Sequence, residues 1–273
     1  MRVCVILPAA GSGTRFGGDK LGQDLGGRPV LLRTVELFAR RADVAAIIVA
    51  GPPDAAALEE FRGRYGSSLA FHGATVIAGG ARERWETVRL ALDSVPAECT
   101  HVAIHDAARP CATDALVDRI FAAAAHHPAV IPGVAVSATL KRVGEAAVRT
   151  APDDALADAI LGDVGQERTR ARRVLETVSR AGLVAIQTPQ VFERGLIAES
   201  YARCERDGLL DGVTDDAQVV ERAGGEVVVV EGEARNIKIT LADDLTLARA
   251  ILGGAADAGS ASRGDGRPSH KRF

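Results

Sequence analysis

The chain has 273 residues, 47% of them hydrophobic and 25% charged, a composition that suits a soluble globular protein with either one large core or two small ones. A formal net charge of -3 argues against a generally nucleic-acid-binding surface, and the scattered cysteines Cys4, Cys99, Cys111 and Cys204 lack both zinc-site spacing and disulfide-scaffold density. Met1 to Leu7 is too short for a signal-peptide core and no later apolar run approaches membrane-spanning length, so a cytoplasmic protein without a membrane partner is expected.

The first predicted strand, Val3 to Leu7, breaks into the small residues of PAAGSGTRFGGDK. Gly11 and Gly13 allow positive φ and let backbone N–H groups approach an anion. The third glycine of G-x-G-x-x-G is missing, since Phe16 stands there, and no G-x-x-x-x-G-K-[ST] is present. A hydride-transfer enzyme and a P-loop ATPase are thereby disfavoured. What remains is a small-residue loop followed by Arg15 and Lys20, suited to the spread charge of a polyphosphate, with a plain turn bearing solvated cations as the alternative. Pro29 to Arg41 reads as a helix with Val30, Leu31, Thr34, Val35 and Phe38 on one face.

Further strands are expected over Ala45 to Ala50 and Thr75 to Ile77. GGARERWETV, from Gly79 to Val88, offers a glycine pair with Arg84 and Thr87 to shape a base pocket, while Trp85 is read as packing. In HVAIHDAARP a strand from His101 to His105 ends at Asp106, a place to hold a ribose hydroxyl or a divalent cation, with Arg109 three residues on. The plain alternative is an Asp capping the next turn. Another strand is expected at Ala129 to Val134. Residues 142–173 form a charged, alanine-rich excursion with a helix over DDALADAILGDV and a basic run, RTRARR. Thr139, Arg180, Thr188 and Lys238 lie at or beside strand ends, a pattern that by itself is more common for solvated surface. A strand at Glu226 to Glu231 follows, and residues 254–273 read as a disordered tail after a domain spanning 1–253.

Strands alternating with amphipathic helices imply an α/β fold with a largely parallel sheet covered on both faces, and ligands on such sheets sit beyond the strands' carboxyl ends.

PAAGSGTRF, the Lys20 to Leu31 stretch, GGARERWETV, HDAARP, TVSRAGLVAIQTPQVF, VTDDA and RNIKIT together resemble the 2-C-methyl-D-erythritol 4-phosphate cytidylyltransferase family, in family order from residue 1 to about 250. The resemblance implies a Rossmann-like nucleotidyltransferase fold, a protruding dimerisation arm at about 136–180, a homodimer, and Mg²⁺-dependent transfer of CMP from CTP to a sugar-alcohol phosphate. It implies that Pro8, Ala9, Ala10, Gly11 and Gly13 wrap the nucleotide and that Arg15, Lys20 and Lys238 stabilise phosphate charge. The base falls near Ala9, Ala10, Ala81, Arg82 and Thr87, and the ribose near Asp106, which is also the nearest protein neighbour of Mg²⁺. Asp106, Arg109, Thr139, Thr188 and Lys238 bind the acceptor, with Arg180 catalytic from the other subunit. The chain departs from the family pattern in a shorter segment between Arg15 and Lys20, in Leu21 and Gly22, in Arg82 where an acid is common, and in a longer 142–173 region.

The competing expectations are a ribitol 5-phosphate cytidylyltransferase, a Rossmann-type oxidoreductase and a non-catalytic nucleotide-binding regulator. No fused cyclodiphosphate synthase domain is expected, which leaves a single activity.

Overall fold

The computed structural model describes residues 1–11, 13, 16–148 and 171–261. Its organising element is the strand Val3–Pro8 (β1), fully buried from Val3 to Leu7. A strand apolar on both sides needs cover on both sides. Val3, Val5 and Leu7 face one core, with the helices Val30–Ala39 (α1), Ala55–Phe71 (α2), Asp114–Ala124 (α4) and Ala242–Ala261 (α7). Cys4 and Ile6 face a second core, built with Arg84–Leu92 (α3), Arg194–Arg206 (α5) and Asp216–Arg222 (α6). Each fully buried aliphatic side chain of β1 contributes roughly 1.5–3 kcal/mol.

The remaining strands are Val44–Gly51 (β2), Ala74–Ala78 (β3), His101–Ile104 (β4), Ala129–Ala135 (β5), Leu140–Val148 (β6), Ala171–Val178 (β7), Val184–Ile186 (β8), Gln190–Glu193 (β9) and Val228–Glu231 (β10). The main sheet runs β10-β5-β9-β4-β1-β2-β3. β1 pairs in parallel with β2 and β4, β2 with β3, and β10 with β5, as the alternating pattern predicts. The exception is β9, antiparallel to both β4 and β5, which wedges into the sheet between them. All five residues expected on the inner face of α1 are buried. Thr34 Oγ1 donates to the Ala107 carbonyl at 2.9 Å and so ties α1 to the segment that follows β4.

Two compact units emerge: Met1–Val134 with Ile186–Phe273, and Ala135–Ala185. The second contains the antiparallel β6–β7 hairpin, with Leu140 opposite Val178 and an Arg142–Glu176 ion pair at 2.6 Å. Arg172 and Arg173 of the basic run are part of β7. The helix expected over DDALADAILGDV lies outside the described residues.

α7 continues to Ala261, past the 253/254 boundary expected from the sequence. AADAGSA is rich in alanine, the strongest helix former, and the glycines do not break a helix already under way. Residues 262–273 lie outside the described residues. Among the described residues, no helix is long and apolar enough to cross a membrane. All four cysteines are free thiols, buried in the fold.

Candidate active site

The carboxyl ends of β1, β2, β3 and β4 open on one cleft of about 530 Å³. Its lining gathers Pro8, Ala9, Ala10, Gly11, Lys20, Ala81, Arg82, Thr87, Asp106 and Lys238, brought together from five stretches of the chain. An adjoining lobe of about 300 Å³ is lined by Arg109, Thr188, Gln187, Gln190 and Asp215, and it shares Arg84, Asp106 and Lys238 with the first. The sequence expectations for the nucleotide and for part of the acceptor site thus converge in space.

Asp106 follows the last residues of β4 and is 8% exposed. Lys238 Nζ lies 3.0 Å and Arg109 Nε 3.1 Å from its Oδ2, while Arg84 Nε lies 3.6 Å from Oδ1. Burial pushes the carboxyl's pKa up, but Lys238, Arg84 and Arg109 outweigh it and hold the group well below the usual carboxylate range. Arg109 also donates to the Asn236 carbonyl at 2.8 Å, and Asn236 Nδ2 donates to the Thr188 carbonyl at 2.8 Å. Three segments distant in sequence are therefore stitched around one carboxylate.

Beneath it lies a closed relay. The Asp106 N–H donates to Thr188 Oγ1 at 3.0 Å, and Thr188 Oγ1 lies 3.1 Å from His105 Nδ1. His105 Nε2 sits 3.0 Å from the Arg109 carbonyl, an acceptor only. The imidazole must therefore carry its proton on Nε2 and accept from the threonine hydroxyl at Nδ1. Burial lowers the His105 pKa to about 4, so the ring is neutral at neutral pH. Thr188 lines the second lobe, yet its hydroxyl is engaged in fixing Asp106 and His105.

The opening loop is built differently. Gly13 adopts φ +66°, and a Cβ there would stand 2.4 Å from the Gly18 carbonyl oxygen, so only glycine fits this turn. Gly11 lies outside the left-handed region, contrary to expectation, and a Cβ on it would meet open space. Its place in the lining comes from its position just beyond β1. Arg15 lies outside the described residues. Lys20 is carried by a turn tied to α2: Asp19 accepts from the Gly22 N–H at 3.0 Å and from Tyr65 Oη at 3.2 Å, and pairs with Arg64.

At the base side, the Thr87 hydroxyl accepts from the Gly80 N–H at 3.0 Å and so shapes the glycine turn. Arg82 presents its backbone, held by the Glu86 carboxylate at 2.9 Å, while its side chain is 85% exposed. Trp85 packs partly buried against the second core, as expected. Thr139 and Arg180 belong to the second unit, where both are exposed and Arg180 donates to the Ser137 carbonyl.

Four residues of the site carry no role in the sequence reading: Asn236, Gln187 and Asp216, which lie inside RNIKIT, TVSRAGLVAIQTPQVF and VTDDA, and Tyr201, which lies outside every quoted motif. Asp216 is fully buried, with Oδ2 2.7 Å from Arg84 Nη1 and Oδ1 accepting from Tyr201 Oη at 2.7 Å. Its only sequence signal is the doubled acid of VTDDA, which reads as an ordinary helix start: Asp215 does cap α6, accepting from the Gln218 N–H at 3.0 Å.

A sequence model of the family described as 2-C-methyl-D-erythritol 4-phosphate cytidylyltransferase matches residues 3–161 and 155–254. The protein of that name from Frankia casuarinae is 41% identical over 92% of this chain and 81% of its own length. The bifunctional enzyme IspD/IspF of Rhodospirillum rubrum is 40% identical over 94% of this chain, which spans only 58% of that longer protein. Among solved structures, the 2-C-methyl-D-erythritol 4-phosphate cytidylyltransferase of Francisella tularensis superposes with a TM-score of 0.70 at 27% identity, covering 92% of this chain and all of the other.

Proposed function

The chain belongs to the 2-C-methyl-D-erythritol 4-phosphate cytidylyltransferase family, and we propose that its cleft transfers CMP from CTP to that sugar-alcohol phosphate, with release of pyrophosphate. The observation that carries the reading is the convergence of Lys20, Lys238, Arg84 and Arg109 on two adjoining lobes that share Asp106. A phosphate oxygen of the acceptor attacks the α-phosphorus, a new P–O bond forms, and the bond to the β-phosphate oxygen breaks with its electron pair leaving on pyrophosphate. Two anions must meet, so cations and rigid placement supply the rate and no covalent nucleophile is needed.

The nucleotide occupies the larger lobe, its base toward Ala81 and Thr87 and its phosphates toward Lys20, Lys238 and, by family resemblance, Arg15. The acceptor phosphate enters the smaller lobe against Arg109. Asp106, locked by three cations and the Thr188 hydroxyl, orients rather than moves protons, because it stays ionised at any working pH. Among the described residues no cluster of three or more His, Cys, Asp or Glu could hold a metal alone. A Mg²⁺ would therefore be carried by phosphate oxygens and water, and Asp106, whose oxygens already face Lys238, Arg109 and Arg84, would be its nearest carboxylate rather than its holder. Bound so, the ion would offset triphosphate charge.

The family resemblance assigns Thr139 and Arg180 to the acceptor, Arg180 from a second copy of the chain. A homodimer through the β6–β7 hairpin is supported by the exposure there of Val174 and Leu175, 54% and 59%. A cytoplasmic location remains part of the same reading. The test is pyrophosphate release with CTP and Mg²⁺ against methylerythritol phosphate and ribitol 5-phosphate, repeated with ATP, GTP and UTP. Turnover is expected with CTP and methylerythritol phosphate, and none with either acceptor would overturn the reading.

A further inference from the structure

Three residues line both lobes of the cleft: Arg84, Asp106 and Lys238. Arg84 differs from the other two in what stands behind it. Its Nη1 lies 2.7 Å from Asp216 Oδ2, whereas its Nε is 3.6 Å from Asp106 Oδ1. Asp216 is fully buried at the start of α6, and its other oxygen accepts from the buried Tyr201 hydroxyl at 2.7 Å. The Arg84–Asp216 contact is a close ion pair, in which Asp216 Oδ2 meets the guanidinium edge away from ideal hydrogen-bond geometry. Burial favours the neutral form of Arg84, but Asp216 and then Asp106 keep it charged.

A carboxylate sealed among apolar side chains costs stability unless paired, and a well-packed aliphatic pair commonly does as well or better. What Asp216 provides that an aliphatic residue would not is a fixed anchor for a guanidinium whose open side faces the seam between the lobes. The contacts are unequal: the one to Asp216 is short and sequestered, while the one to Asp106 is long and borders the cleft. An incoming phosphate oxygen would replace the second and leave the first.

Resting on the cytidylyl-transfer reading, we propose that Arg84 is a further catalytic residue, contacting the phosphoryl group as it crosses the seam, and that Asp216 with Tyr201 is the positioning pair that holds it there. The transferred phosphorus must lie between the pyrophosphate it leaves and the acceptor oxygen it joins, and that boundary is where the two lobes share residues. A guanidinium anchored from behind meets the developing charge without reorganising.

The test is steady-state kinetics with CTP and methylerythritol phosphate on the wild type, Arg84→Gln, Asp216→Asn, the double variant and Tyr201→Phe, with folding followed by thermal melts. Arg84→Gln should lower kcat about 100-fold while KM for CTP changes less than about threefold. Asp216→Asn should lower kcat about tenfold, Tyr201→Phe by less, and the double variant should be no slower than Arg84→Gln, since Asp216 acts only through Arg84. The double variant exchanges the ion pair for two amides, so it remains a fair test where a single change leaves a buried charge and fails to fold. A kcat for Arg84→Gln or for the double variant within about threefold of wild type overturns the proposal, as does multiplication of the two single effects in the double variant. Loss of melting temperature with kcat of the folded enzyme unchanged also overturns it, marking a purely structural pair. A wild type that releases no pyrophosphate overturns the cytidylyl-transfer reading itself.

Discussion

The two sides of the nucleotide cleft are held by different means. On the Asp106 side, a nearly buried carboxylate is ringed by Arg84, Arg109 and Lys238 and underpinned by Thr188 and His105, all close to the core. On the Lys20 side, the cation stands on a turn fastened by the exposed Asp19–Arg64 pair and by the hydroxyl of the buried Tyr65. The first is fixed by packing and charge together, so disturbing it should harm stability and activity at once. The second is fixed by turn geometry, so activity should suffer with little loss of stability.

Asp106→Ala should produce the largest effect. It leaves three cations facing one another near the core, and breaking such an arrangement costs about 3–5 kcal/mol. Chemical denaturation should show that loss together with near-complete loss of turnover. A stable but inactive Asp106→Ala protein would break the link between packing and chemistry on this side.

The pH dependence sharpens the same point. Burial puts the His105 pKa at about 4 in the folded chain, below its ordinary value, so its contribution to stability is fully present above about pH 6.5 and is lost as pH falls toward 4. Over that window this group should remove about 3 kcal/mol of unfolding free energy. Wild type and His105→Gln, compared by denaturation at pH 7 and pH 4.5, should differ in slope, and parallel curves would place the proton elsewhere.

On the opposite side, Lys20→Ala should lower kcat about 100-fold, worth about 3 kcal/mol of transition-state stabilisation, while the melting temperature stays close to wild type. A change confined to KM for CTP would make Lys20 a binding residue only. Gly22→Ala should act more mildly through the same turn. A Cβ there would stand 2.2 Å from Asp19 Oδ2 and 2.6 Å from Tyr65 Oη, so the tether must shift. A fall in kcat of about tenfold is expected, about 1.4 kcal/mol. Unchanged kinetics would show that the tether does not position Lys20.

Much of this organisation is legible in the sequence. Fully apolar strands and the α1 face announce a two-sided parallel sheet, and the strand-end Asp106 with its following Arg109 marks the site. What escapes is of two kinds. The antiparallel β9 has only four residues, too few for its direction to show, and its place is set by pairing with β4 and β5. Asp216 sits beside a capping acid, and nothing local distinguishes a helix-start carboxylate that faces water from one turned inward to Tyr201 and Arg84. Tertiary contacts alone assign it.

In the proposed reaction the cleft joins two phosphates rather than merely holding a nucleotide. The most direct measurement is ³¹P NMR of the wild-type protein with CTP, Mg²⁺ and 2-C-methyl-D-erythritol 4-phosphate. A new pair of mutually coupled diphosphate-diester signals is expected to rise in step with pyrophosphate as the acceptor phosphomonoester disappears. Conversion of CTP to CMP and pyrophosphate with the acceptor signal unchanged, or no change in any signal, would contradict it.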